Sequence, residues 1–543
     1  MKNKFLILTV GLIFIAFLTS CKKNLLDKAP KDSANAANFF ENETNARQAA
    51  LGVWAGLTDE NWFYKRYFIT MTDNQSDDSY TRIVPNRIEN VHWTFDQNYY
   101  GMRSWYRGFF AAISHANFAI DGIPTSSDPG FTEEQQAPYI AVAKLGKGFC
   151  YVQLTTLWGD VPYFATSITD PKDAIVPRTP KAEVMSAVIE DLKYAKEHLP
   201  VSWIGDDIGL PTKAAGAAML AKAYLYNKDY PNAEIAAKEA LEIADASGYA
   251  LMNDYLYMMS EKSQDDGANK EFILTLNFQK DADATGNYNE MVVERNVRDA
   301  PGPINDIYGG GWGYALPTRD LYDAFETTPK VDPRRKYSMW APGDFYGIYH
   351  GPAFTDPADG KSYVDGDSVF YKRGWSLTNL NTRKLVSPWM DNGKQLVLMG
   401  AAAESGYDDP LIRYADLVLM YGEALIENGK ILEGMAQVNR VRARPSVDMP
   451  PLTATDQADA RAKLRHERRV ELNMEGIRLF DLFRWGAMEE TFGAGLNTKP
   501  KYQRFGDDTV LKDANFQFPK CNLWPLPISE LDANPLLKQN PGW

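Results

Sequence analysis

The residues of this chain with the most capacity for chemistry are its carboxylates and its aromatic rings. Acid doublets at Asp77-Asp78 and Asp408-Asp409 suggest a pair for general acid–base work. Glycoside hydrolysis, however, needs two carboxyl groups held ~5–9.5 Å apart across the scissile bond. Sequence neighbours do not establish that geometry, and acid doublets usually mark solvated turns. His92, His115, His198, His350 and His466 are scattered, and neither H-E-x-x-H nor paired C-x-x-C occurs, so neither a metal site nor a cofactor is expected. Asp281, Asp283, Thr285 and Gly286 begin like a calcium loop, but its twelfth position is Val292 where glutamate is required. There is no P-loop and no G-x-S-x-G. Gly309 to Gly313, with Trp312 inside, has no following lysine and reads as a flexible loop displaying an aromatic.

The aromatics are a stronger signal. The chain is 13% aromatic, with 13 Trp and 29 Tyr, many in irregular stretches. Pyranose rings present apolar C–H faces, which stack on indole or phenol rings while Asn, Asp and Arg fix the hydroxyls. Ring candidates are Trp62, Trp93, Tyr99 and Tyr100 in a first loop region, then Tyr288, Tyr308, Trp312 and Tyr314, then Trp340, Tyr346 and Tyr349. Any single ring could equally be a core residue. Trp105 and Trp485 are assigned to the core.

The elements that must carry these loops are mainly helical. Ala46, Ala49, Ala50, Val53, Trp54 and Leu57 form one helix face, and similar stripes recur at Trp105 to Ile123 and Tyr139 to Leu157. At Ala214 to Glu242, Leu220, Ala221 and Tyr224 precede a turn at Asn227 to Pro231, then Ala233, Ala237 and Ala240. Small residues where two helices cross give a tetratricopeptide-like pair, a unit that stacks on neighbours because alone it cannot bury its apolar face. Leu411 to Arg444 is a second such pair, and Tyr139–Leu157 with Lys181–Leu199 a third, split by an insertion at Trp158 to Pro180. The expected fold is therefore mainly α, a partial solenoid of helix pairs with a loop-rich irregular subdomain. Helical repeats are expected mainly at 38–60, 105–242 and 411–486. The loop-rich regions lie mainly at 61–104 and 243–405, with short strands near Glu271–Phe278 and Ser368–Tyr371. Lys463 to Trp485 is read as helical. Its Glu467, Glu471, Glu475 and Arg478 are spaced for i,i+3 and i,i+4 pairing, and the block is expected to clamp the C-terminal helix to the body.

The N-terminus carries Lys2 and Lys4, then an apolar run from Phe5 to Leu18, ending in Leu18-Thr19-Ser20-Cys21. That pattern resembles a bacterial lipoprotein signal, with residues 1–20 removed, Cys21 lipidated, 21–37 a tether and 38–543 a single fold. A net charge of −13 with no basic stripe argues against nucleic acid as a partner. Cys150 and Cys521 read as two small buried thiols.

Taken in order, several blocks resemble the SusD/RagB family of starch-binding-protein-like lipoproteins of Bacteroidetes. These are Leu25-Leu26-Asp27 with Pro30, Trp158 to Tyr163, Leu316-Pro317-Thr318 with Asp332-Pro333-Arg334, and Leu411 to Asp416 with Glu423-Ala424. The block Glu467 to Gly486 and the ending Trp524 to Ile528 with Gln539 to Gly542 complete the match. The resemblance implies a non-catalytic, lipid-anchored, cell-surface-exposed outer-membrane protein that binds a glycan and passes it to a TonB-dependent transporter of the SusC type. By region, it directs ligand contact to Trp93 and Trp312, helped by Asp73, Asn74, Asp78, Tyr288 and Tyr314. Two other readings stay open: a peptide-uptake protein, and a structural lid of the transporter.

Overall fold

Apolar stripes at helical spacing dictate most of the architecture. Helix α1 (Glu43–Thr58) buries Ala46, Ala49, Ala50, Val53 and Leu57, the stripe expected from the sequence. Helix α2 (Tyr64–Met71) leads toward α3 (Tyr100–Gly122), whose buried face includes Trp105, Phe109, Ile113 and Ala116. Helix α4 (Glu133–Trp158) starts at a capping box: Gln135 N donates to Thr132 Oγ1, and Gln135 Oε1 accepts from Thr132 N at 2.9 Å. The chain continues through α5 (Lys181–His198), α6 (Lys213–Tyr226) and α7 (Tyr230–Ala246). After a long excursion come α8 (Tyr414–Glu427), α9 (Ile431–Arg442), α10 (Gln457–Leu472) and α11 (Arg478–Trp485). The computed structural model describes residues 39–58, 64–279, 289–308, 310–386, 390–391, 394–395, 405–492, 502–507, 509–511 and 516–543. The expected signal segment, the tether with Cys21, and Trp62 and Tyr288 lie outside the described residues.

The helices stack in an unbroken series: α1 on α3 and α4, α4 on α5, α5 on α6, α6 on α7, α7 on α8 and α8 on α9. All three expected helix pairs are present. The pairing of α7 with α8 joins segments far apart in sequence, and Asn428 Nδ2 seals it by donating to Tyr230 O at 3.0 Å and Glu234 Oε2 at 2.9 Å. At the α8–α9 crossing a Cβ on Gly434 would sit 2.9 Å from Gly422 O, so the close approach requires a residue without one. Cys150 and Cys521 are buried free thiols.

The structure corrects three sequence expectations. The second helix pair begins at Tyr414, because Asp409–Arg413 forms a strand (β4) paired antiparallel with β2 (Phe272–Leu276). Residues 463–485 are not one helix. Met474 at φ 58° and Gly476 at φ 74° break it after Leu472. The pairings of Glu467, Glu471, Glu475 and Arg478 are long-range and not i,i+3 or i,i+4. Glu471 meets Arg413 at 2.8 Å, Arg444 at 3.0 Å and Arg334 at 2.9 Å, and Glu475 meets Arg413 at 2.8 Å and Lys384 at 2.5 Å. Glu467 bridges Arg334 and Arg442, and Glu271 holds Arg413 and Arg444. This buried lattice clamps α10 to the irregular half of the molecule, which is the role the sequence suggested. Removing any one partner would strand a buried charge at a cost of about 3–5 kcal/mol.

Candidate functional site

Two loop segments converge above this lattice. The first, Thr72 to Arg87, carries β1 (Ser79–Tyr80), which pairs antiparallel with β3 (Leu316–Pro317) of the second. Thr318 reinforces the junction, its N donating to Asp78 O at 2.9 Å and its Oγ1 to Asp77 O at 2.8 Å. Between β3 and the helix Glu290–Arg295, residues Gly310 to Tyr314 form a strap. Trp312 N donates to Val293 O at 2.8 Å, Gly313 N to Asn296 O at 3.1 Å and Tyr314 N to Glu294 O at 2.8 Å. The glycine-rich segment is thus pinned, where the sequence suggested flexibility. A Cβ on Gly311 would lie 2.4 Å from Asn296 O, so the strap can hug that helix end only with glycine there.

The strap leaves Trp312 and Tyr314 half-buried, their ring centroids 5.8 Å apart. Arg87 lies 4.0 Å from the Tyr314 ring centroid and is itself fixed by Glu294 at 2.6 Å and Thr70 Oγ1 at 2.5 Å. A Cβ on Gly313 would meet Arg298 Cβ at 3.2 Å and Arg82 Cδ at 3.4 Å, so the strap runs close beside both arginines. From Arg82 a cleft of about 660 Å³ opens between Arg82–Val84, Asp299, residues 373–379, Arg504 and Asp507. Arg82 and Asp299 are 3.7 Å apart and both partly exposed, and Arg504 and Asp507 are 3.6 Å apart. Exposed Ile83 rims the cleft. Half-exposed aromatics beside paired charges provide an apolar platform next to donors and acceptors, the combination a polyhydroxylated ring requires.

The other expected contacts lie beneath this surface. Trp93 is 4% exposed, and its indole N–H donates to Gln75 O at 3.2 Å while the ring packs on Phe95, Phe483 and Phe516. No ring face remains for a sugar, because the left-handed backbone at φ 53° that ends the Ile88–His92 helix turns it inward. Asp73, Asn74 and Asp78 are at most 1% exposed. Asp73 Oδ1 accepts from Gly476 N at 2.9 Å, Asn74 Nδ2 donates to Tyr314 O at 2.9 Å, and Asp78 meets Arg469 at 2.6 Å. They hold the strap and loop in place from below. Burial pushes the Asp73 carboxyl up to about 7.

Neither acid doublet is a solvated turn. Asp77 is gripped by Arg478, Asp409 accepts from Arg295 at 3.3 Å, and Asp408 accepts from Phe278 N at 2.7 Å. Tyr99, Trp340, Tyr346 and Tyr349 are buried core residues, while Tyr100 is exposed. Trp105 is fully buried, and half-buried Trp485 donates to Glu423 Oε1 at 2.7 Å. Sequence reasoning missed Arg82, Asp299, Arg373 and Arg504. The only available signal was the presence of charged residues in the right loops.

Two family models match the chain: one described as the SusD family over residues 270–543, and one as starch-binding associating with outer membrane over residues 24–225. The SusD-like protein P25 of Formosa agariphila is 25% identical, across 99% of this chain and 98% of its own length. A crystal structure of a SusD-like protein from Bacteroides fragilis superposes with a TM-score of 0.73 at 22% identity, covering 95% of this chain and 100% of that one. Surface glycan-binding protein A from Bacteroides thetaiotaomicron, in complex with laminarihexaose, superposes with a TM-score of 0.69 at 18% identity, covering 92% and 99%. These structural likenesses establish the shared fold.

Proposed function

The chain belongs to the SusD family, and from that premise we propose that it is a non-catalytic glycan-binding lipoprotein. It is anchored through Cys21 at the outer-membrane surface and passes its ligand to a TonB-dependent transporter of the SusC type. Residues 38–543 act as one SusD-like unit. The observation that carries the reading is the pinned Trp312–Tyr314 strap beside the Arg82–Asp299 cleft. The indole of Trp312 stacks on a sugar face, and Arg82, Asp299 and neighbouring Arg373 take the hydroxyls. A laminarihexaose complex of a fold relative supports a glycan as the ligand class.

The test is calorimetric titration of the mature protein with laminarihexaose and a panel of oligosaccharides, with chromatography of the sugar afterwards. Binding without shortened products is expected, and Trp312→Ala should lose at least tenfold in affinity with its melting temperature retained. Released shorter sugars would overturn the non-catalytic reading. Unchanged affinity in both Trp312→Ala and Arg82→Ala would remove the site. Failure of every glycan, with co-purification of a barrel, would leave a structural role.

A further inference from the structure

The chain as a whole carries a formal charge of −13, yet the cleft beside the strap has the opposite sign. Among the described residues that line it, the charged ones are Arg82, Arg373 and Arg504 against Asp299 and Asp507, a net charge of +1. Exposed Arg298 adds a further cation at the edge, its Cβ close beside Gly313. Neither Arg298 nor Arg373 forms an ion pair among the described residues.

The cleft arginines that do face a carboxylate hold it loosely. Arg82 approaches Asp299 to 3.7 Å and Arg504 approaches Asp507 to 3.6 Å. A charge-assisted hydrogen bond is closer, at ~2.7–2.9 Å, and Arg478 meets Asp77 at 2.8 and 2.9 Å beneath the same loop. The Arg82 and Arg504 side chains are 36% and 34% exposed, so a ligand can reach their N–H groups. Their setting is nonetheless built. Arg504 Nε donates to Leu377 O at 3.1 Å, which fixes the plane of that guanidinium. The Arg373 guanidinium lies against the same loop, since a Cβ on Gly506 would come 2.6 Å from its Nη2. The two loops are tied together by Phe505 N donating to Thr378 O and Asn379 Nδ2 donating to Phe505 O, each at 2.9 Å.

We propose that the glycan taken by this cleft is acidic, bearing a carboxylate or a sulfate ester that the arginines hold. The proposal rests on the glycan reading above and narrows it. A guanidinium is always charged, and its planar fork matches two oxygens of a carboxylate or sulfate at once. A sugar hydroxyl offers a single oxygen and calls for no net charge. Asp299 and Asp507 repel an anion set directly on them, so the oxyanion belongs at Arg373, the lining cation outside ion-pair contact, with Arg504 beside it on the tied loop. An adjacent sugar ring then uses Trp312, Arg82 and Asp299.

The probes are three sugars of equal length, titrated into the mature protein by calorimetry: a galacturonic acid hexasaccharide, a sulfated carrageenan hexasaccharide and neutral laminarihexaose. At least one acidic sugar should bind about tenfold tighter than laminarihexaose, the difference between a charge-assisted hydrogen bond and a neutral one. The tighter of the two acidic sugars identifies the anion. That advantage should shrink severalfold from about 0.1 M to about 1 M sodium chloride, as the screening length falls from about 10 Å to about 3 Å. Arg373→Gln, at an exposed position, should fold normally and cut the ratio of acidic to neutral affinity at least fivefold, with Arg373→Lys restoring part of it. Laminarihexaose binding as tightly as both acidic sugars would overturn this proposal and leave the glycan reading standing. So would an acidic preference that survives both Arg373→Gln and Arg504→Gln. Failure of all three sugars and of every other glycan would overturn the glycan reading and this proposal with it.

Discussion

Arg478 grips both oxygens of Asp77, Nε to Oδ1 at 2.8 Å and Nη2 to Oδ2 at 2.9 Å, across 401 residues of chain. Arg469 sits beside this pair, reaching Asp78 at 2.6 Å and Asp320 at 2.8 Å. The two arginines fasten the underside of the loop that carries Arg82. The C-terminal helices thereby set the geometry of a surface to which they contribute no exposed side chain.

Arg478→Ala should therefore destabilise the protein by about 3 kcal/mol, since the largely buried Asp77 carboxylate loses its two-bond partner and keeps Arg469 at 3.2 Å. Glycan affinity should fall as well, although the substituted residue touches no sugar. Guanidinium unfolding and calorimetry read the two effects. Lost stability with unchanged affinity would show that loop geometry is set elsewhere.

Trp93→Ala separates a core ring from a binding ring. The buried indole fills space among Phe95, Phe483 and Phe516, so its removal should cost about 3–5 kcal/mol while the folded fraction binds glycan normally. A variant of native stability that no longer binds would return Trp93 to the site.

These two residues mark where the sequence could be read. Ala46, Ala50, Val53 and Leu57 declare their helix face because the 3.6-residue period is a local property. Glu467 and Glu471 declare an ionic role, but their partners Arg334, Arg413 and Arg444 come from other elements and no spacing rule reaches them. Leu411 to Arg413, the end of the strand Asp409–Arg413, read as the start of the following helix because Leu411 and Ile412 continue its apolar run. Trp93 and Trp312 are equivalent as aromatic residues in loops. Only the left-handed turn at Trp93 and the strap around Trp312 bury one and leave the other half-exposed. The cleft joins Arg82, Asp299, Arg373 and Arg504 from separate loops, a juxtaposition that belongs to tertiary structure.

The raised Asp73 carboxyl makes stability depend on pH. Between about pH 4 and pH 7 the folded protein keeps a proton on Asp73 that the unfolded chain has already released, so the native state loses ground as the pH rises through that window. Asp73→Asn keeps an oxygen to accept from Gly476 N and removes the ionisation. The variant should match the parent near pH 4 and exceed it by roughly 2–4 kcal/mol at pH 8, at 1.36 kcal/mol for each pKa unit. Urea titrations at the two pH values test this, and a variant no more stable at pH 8 would mean that Asp73 ionises normally.

Gly311→Ala tests whether the strap itself, and not merely the presence of an indole, makes the site. The new Cβ would lie 2.4 Å from both the carbonyl oxygen and the Cβ of Asn296, and neither can retreat easily because Asn296 O also accepts from Gly313 N. The strap must lift, which weakens the bonds from Trp312 N to Val293 O and from Gly313 N to Asn296 O and tilts the Trp312 ring away from the cleft. Overpacking of this kind costs about 1–3 kcal/mol. Glycan affinity should fall about as far as in Trp312→Ala, even though every side chain of the proposed site is intact. Trp312 fluorescence should shift in the free variant, which reports the displaced ring independently of ligand. Affinity equal to that of the parent, with an unshifted spectrum, would mean that the strap yields without moving the indole and that its hydrogen bonds do not position the ring.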